Sequence, residues 1–124
     1  IDVSPALVWT DTPPAAELAL VMRDRDANGF VHWVVTAIDP VVQGIGEGGI
    51  PEGAISLPNS GGASGWFGPC PPAGSGTHTY DLVLHALPEP LVIDPSTPAE
   101  QAAQMVEGAS SDRAVLSGVV QAAE

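Results

Sequence analysis

Nine residues constrain this chain most: Phe30 to Ile38, FVHWVVTAI. Aromatic and β-branched side chains crowd the run, which favours a pleated, half-buried strand. Period two puts Phe30, His32, Val34 and Thr36 on one face and Val31, Trp33 and Val35 on the other. Two other runs read the same way. Glu17 to Met22 (ELALVM) is a buried strand ending in the charged RDRDANG. Thr79 to Leu87 (TYDLVLHAL) places Tyr80, Leu82 and Leu84 on one face, with Asp81, Val83 and His85 opposite. Val3 to Trp9, with Pro5 near its start, fits an edge strand or extended lead-in, and Asp11 to Ala16 a turn. Arg113 to Gln121 returns as a strand. One segment reads as helix. Thr97 to Glu100 spells T-P-A-E, a capping box in which the Thr97 hydroxyl accepts from the Glu100 amide and Pro98 takes the first helical position. The helix then covers Ala99 to Glu107, and Gly108 ends it. Several strands and one late helix predict a mostly β domain.

Between the strands the pattern stops. From Pro40 to Thr77 no strand or helix period persists, and a loop of that length inside a compact domain often carries function. The chain holds 14 glycines and 13 prolines, concentrated in this middle region. Its densest part is GWFGPCPPAGSGTHTY, residues 65 to 80, where Gly and Pro give way to His78 and Tyr80 on one strand face. With 124 residues, one domain can bury its own core. An apolar content of 44% excludes a disordered acidic tail.

Charge narrows the partners. The net charge is −12, and Arg23, Arg25 and Arg113 are the cations. Nucleic acid is excluded, because affinity for it comes from Lys and Arg neutralising phosphates. Anionic membrane surfaces are disfavoured for the same reason. No apolar run approaches the length of a membrane span. Cys70 is the one cysteine, so neither an internal disulfide nor a cysteine-based zinc site is expected. The chain starts at Ile1, which implies that something preceded it; the compartment is cytoplasmic, or exported if that something was a signal.

Few motifs carry chemistry. GIGEGG, Gly44 to Gly49, matches G-x-G-x-x-G, but Ile50-Pro51 follows where a dinucleotide site needs a helix. Ser64 in GGASGW lacks the second flanking glycine of a nucleophile elbow, because Trp66 occupies it. DRDANGFVH is more informative. Asn28-Gly29 favours a tight return that brings Asp24 and Asp26 towards His32. Alternatively, these are two solvated turn aspartates and a half-buried histidine. His78 and Tyr80 share a strand face and can join such a cluster, where a carboxylate orients an imidazole. The spacing lacks a compact metal-ligand motif, so neither metal nor cofactor is expected. His85 lies at the far end of its strand and defaults to core or surface.

Together these stretches resemble the phosphatidylethanolamine-binding protein family in its bacterial Raf-kinase-inhibitor-like branch. SPALVW, LALVMRDRDA, FVHWVV and above all GPCPPAGSGTHTY carry the resemblance. It implies an antiparallel β-sandwich with a C-terminal peripheral helix and one domain over residues 1 to 124. Relatives carry further strands before S-P-x-L-x-W, so the chain is a short or an N-terminally trimmed form. The resemblance also implies a small pocket that binds phosphate or phosphorylated head groups. Its lining would be Asp24, Asp26, His32, Gly68, Pro69, Cys70, Pro71, Pro72, His78 and Tyr80. Prolines there stiffen one wall and glycines let backbone approach a ligand, so the pocket forms before anything binds. Several positions depart from the family pattern. Arg25 and Asn28 replace the prolines of D-P-D-x-P, Thr79 and Ala63 stand where arginines are common, and Val120 stands where a tyrosine is frequent.

The function expected is non-enzymatic binding of a small anionic group: phosphate, a phosphoethanolamine-like head group or a carboxylate. Binding should be weak and strengthen below about pH 6.5, where histidines charge. One alternative is a regulatory protein that inhibits a kinase or hydrolase by direct contact, with Gly44 to Ala63 as the contact loop; a homodimer is also compatible. The other is a weak hydrolase with His32 or His78 as general base.

Overall fold

The structure is a computed structural model that describes residues 3–69 and 73–121. Seven strands and one helix follow in order: β1 (Leu7–Val8), β2 (Glu17–Asp24), β3 (Phe30–Ile38), β4 (Gly44–Ile45), β5 (Ile55–Ser56), β6 (Thr77–Leu87), α1 (Ala99–Ala109) and β7 (Asp112–Gln121). Five strands form one antiparallel sheet in the order β5-β3-β2-β6-β7, and β1 pairs with β4 in a second, two-stranded sheet. The fold is thus mostly β, with antiparallel sheets in layers and one peripheral helix late in the chain.

Each face of the large sheet has its own core. On one face Ala19, Val21, Val31, Val34 and Leu87 pack against Ala99, Ala102, Ala103 and Val106 of α1. The helix buries those four at the i, i+3, i+4, i+7 spacing of an amphipathic stripe. On the other face Leu18, Leu20, Met22, Trp33, Val35 and Tyr80 pack with Ile45 of the small sheet. Arg23 fastens the helix from its polar side. Its guanidinium donates to Glu100 and Glu107 of α1, at 2.7 to 3.0 Å, and to the Gly29 carbonyl at 2.7 Å.

The strands predicted from period and composition are present, with altered ends. β2 runs on to Asp24, β6 starts at Thr77, and β1 shrinks to Leu7–Val8. The segment expected to lack regular structure holds the two short strands β4 and β5, too brief for any period to register.

The helix ends differ from expectation. Pro98 is the N-cap, in extended conformation, and no side chain caps the helix. Pro98 has no side-chain oxygen, and Glu100 gives its carboxylate to Arg23 instead of returning to the backbone; two bonds to a guanidinium outweigh one to a backbone amide. Gly108 does not end the helix, which continues to Ala109 before Ser110 becomes extended.

The face assignment of β3 also needs correction. Met22 pairs with Trp33 and Arg23 with Val31, so His32 is an extra residue, a bulge. The bulge splits His32 from Val34. Val31 and Val34 both join the helix-side core, while His32 turns to the opposite face beside Tyr80.

Candidate functional site

Three adjacent strands place the candidate residues. Asp24 ends β2, and its Cα partner across the ladder is Tyr80 on β6. Met22, Asp24, His78 and Tyr80 follow one face by simple alternation, and so does His32, two residues after Phe30, the Cα partner of Asp24; the β3 bulge then adds Trp33 to that face. Tyr80 sits between the imidazoles. Its ring meets His32 edge-on at 5.1 Å and stacks on His78 at 6.3 Å with planes 23° apart.

The hydrogen bonds fix the tautomers. His78 Nδ1 lies 2.6 Å from Asp24 Oδ2, and a carboxylate can only accept, so Nδ1 carries the proton. His78 Nε2 lies 3.0 Å from Ser75 Oγ. The other Asp24 oxygen accepts from the Asp26 amide at 2.8 Å. His32 Nδ1 lies 2.7 Å from the Phe67 carbonyl, so it too is a donor there. Asp24, His32 and His78 are 3%, 4% and 5% exposed, so this polar cluster is shielded and must satisfy itself internally. Burial pushes the His32 imidazole below its ordinary range; the Phe67 carbonyl and Asp24 pull it partly back, and His78 adds to the lowering.

Other predicted residues take other positions. Asp26 is exposed, and its carboxylate accepts from the Thr79 amide at 2.6 Å, which ties the turn to the start of β6. Gly68 and Pro69 are half-buried. Cys70, Pro71 and Pro72 lie outside the described residues, as does the side chain of Val120. Arg25 pairs through two nitrogens with Asp81, at 2.7 and 3.0 Å, and Ser117 donates to the same carboxylate. The Arg25 guanidinium and then the Ser117 hydroxyl hold Asp81 below the usual carboxylate range.

Sequence reasoning missed Phe67 and Ser75. Phe67 contributes its carbonyl to His32 and its ring to both His32 and Phe30. A backbone carbonyl leaves no signal in the sequence. Ser75 had one: it lies three residues before His78 between two glycines.

An apolar cavity of about 280 Å³ adjoins the cluster. Its lining includes Met22, Trp66, Pro69, Tyr80, Leu82 and Leu116. Tyr80 therefore belongs both to the polar cluster and to the cavity wall. Among the described residues no group of three or more His, Cys, Asp or Glu is placed to hold a metal ion. No helix among them is long and apolar enough to cross a membrane.

Known proteins share this arrangement of chain. The family model described as phosphatidylethanolamine-binding protein matches residues 1–121. LppC of Mycobacterium tuberculosis, a protein named as a lipoprotein, is 49% identical over 119 residues, which cover 94% of this chain and 59% of LppC. The chain thus spans less than two thirds of that relative. A UPF0098 protein of Methanothermobacter thermautotrophicus is 36% identical over 95% of this chain and 82% of its own length. Among solved structures, Escherichia coli YbcL, described as a member of the mammalian PEBP family, superposes with a TM-score of 0.87 at 26% identity. The match covers 95% of this chain and 79% of YbcL. The strand order, the late helix and the match over nearly every residue have one reading: this chain belongs to the phosphatidylethanolamine-binding protein family.

Proposed function

We propose that the chain binds a small anionic group, phosphate or the phosphate of an ethanolamine-type head group, at the cluster of His32, His78 and Tyr80. The observation that supports this reading is the meeting of both imidazoles and the phenol ring at one end of the sheet, beside an open apolar cavity. Both Nδ1 atoms already donate to protein acceptors. In each neutral ring Nε2 therefore carries only a lone pair, which in His78 lies against the Ser75 hydroxyl and in either ring repels an anion. Protonation turns Nε2 into a donor, so binding is coupled to proton uptake. Burial lowers the His32 affinity for a proton, so anion binding strengthens below the ordinary imidazole range of about 6.5 and not at it. Asp24 orients His78 in this reading. Each of its oxygens accepts one hydrogen bond from the protein, from the Asp26 amide and from His78. A net charge of −12 keeps the affinity low.

Calorimetric titration with phosphate and with phosphoethanolamine at pH 5.5 and pH 8 tests the reading. Heat at the lower pH and little at the higher is expected. Silence at both pH values removes the hypothesis. Contact with a kinase or hydrolase is a second reading, supported by exposed Val41, Ile50 and Ile55 on the segment between β3 and β6. A charge reversal in the phosphate cluster would leave such a contact intact, and pull-down with that variant separates the two.

A further inference from the structure

We propose that Ser75, His78 and Asp24 form a nucleophile, base and orienting group, and that the chain hydrolyses a small uncharged ester through an acyl-Ser75 intermediate. The proton positions point this way. Asp24 accepts a hydrogen bond from His78 Nδ1–H at 2.6 Å, which leaves the Nε2 lone pair of neutral His78 facing the Ser75 hydroxyl at 3.0 Å. Both distances lie within the reach that activates a serine. Asp24 is held in turn by the Asp26 amide at 2.8 Å, so the carboxylate keeps its aim on the ring.

The backbone presents the serine. Gly74 and Gly76 flank it with φ of 77° and 88°, left-handed positions that favour glycine. The resulting turn leaves Ser75 exposed while His78 is buried. A reacting carbonyl can therefore approach the hydroxyl from solvent while the base stays shielded. The apolar cavity beside Tyr80, about 280 Å³, is of a size to take a short acyl chain. The net charge of −12 favours a neutral ester over an anionic one.

The steps balance with water alone as co-reactant. Ser75 Oγ adds to the ester carbonyl carbon while its proton moves to His78 Nε2. The bond from that carbon to the alcohol oxygen breaks, and the alcohol leaves with the proton. Water then gives a proton to Nε2 and attacks the acyl-serine. The serine–acyl bond breaks, the proton returns to Ser75 Oγ, and a carboxylic acid departs. This activity goes beyond anion binding and does not depend on it, because a neutral ester needs no protonated imidazole.

Two measurements test the proposal on the purified chain. An alkyl fluorophosphonate should form one adduct, located on Ser75 by mass spectrometry, with loss of fluoride. Turnover of p-nitrophenyl butyrate should exceed that of buffer and fall on the order of a hundredfold in Ser75→Ala. Ser75 is exposed, so that variant folds, and a matching circular dichroism spectrum checks this. Ser64→Ala, in a loop remote from the triad in sequence, should leave turnover unchanged. Asp24 acts through His78, so Asp24→Asn should lower kcat at least about tenfold with KM within about twofold. Absence of a Ser75 adduct, butyrate turnover no faster than buffer, or equal turnover in Ser75→Ala would each overturn the proposal. A rise in KM with kcat unchanged in Asp24→Asn would overturn the role given to Asp24.

Discussion

His78 and His85 stand near opposite ends of β6 and are 5% and 1% exposed. They face opposite sides of the sheet, and their surroundings share little. His78 donates its Nδ1–H hydrogen bond to a buried carboxylate and turns Nε2 outward to an exposed serine. His85 donates its Nδ1–H hydrogen bond to Ser110 Oγ at 2.9 Å; that hydroxyl donates in turn to the Asp112 carbonyl. The other nitrogen, Nε2, is buried and meets no hydrogen-bond partner among the described residues. Burial lowers the proton affinity of His85, with Glu107 opposing and Arg113 assisting. Burial alone therefore does not mark a site on this strand. What separates the two rings is a charge on one side of His78 and an accessible group on its other side.

Removing the charge should break the contrast most. Asp24→Ala takes away the acceptor of His78 and of the Asp26 amide at once. A loss of about 3 kcal/mol in urea unfolding is expected, together with loss of phosphate heat. If stability holds, the carboxylate does not organise this end of the sheet. Arg23→Met comes next, since Arg23 links the turn at Gly29 near the site to Glu100 and Glu107 of the helix. The group is partly exposed, so solvent screening limits the cost to about 1–2 kcal/mol. A cost near zero would mean that apolar packing alone seats the helix.

Ser110→Ala sharpens the comparison from the other end. It leaves the His85 Nδ1–H without an acceptor and should cost about 1 kcal/mol, while phosphate titration stays as in the unaltered chain. A change in ligand binding would show that the two ends communicate. The finest test is the pH dependence of stability. His32 and His85 both have folded proton affinities lowered by burial. The unfolded chain therefore takes up protons first as pH falls. Stability is full above about 6.5 and declines as pH drops below that towards the folded values. His85→Gln should make this decline shallower without moving the binding profile. An unchanged slope would mean that His85 accepts a proton as readily folded as unfolded.

Much of this molecule was legible from side-chain pattern. FVHWVVTAI and TYDLVLHAL are strands because branched and aromatic residues suit a pleat, and both were found where the pattern put them. His78 and Tyr80 share a face because alternation requires it, and no bulge intervenes between them. Phe30 and His32 share a face opposite Val31, as alternation puts them, but the faces of Trp33, Val34 and Val35 were not legible: one extra residue against β2 reversed them, and nothing in a period-two reading announces a bulge. The helix start was misread because Glu100 had a distant partner, Arg23, that outweighed the local cap. Ser75 does not follow the elbow spacing; it owes its place to a turn between two glycines.

The sequence by itself determined the long strands, the late helix, the acidic surface and the glycine- and proline-rich approach to His78. These depend on residue type and near-neighbour spacing, which act over a few residues. Tertiary structure alone decided that Asp24 meets His78 across 54 positions, that the Phe67 carbonyl accepts from His32, and that Arg23 reaches the helix. Such contacts follow from strand register and bulge position, and register is set by how whole faces pack and not by any local run of residues.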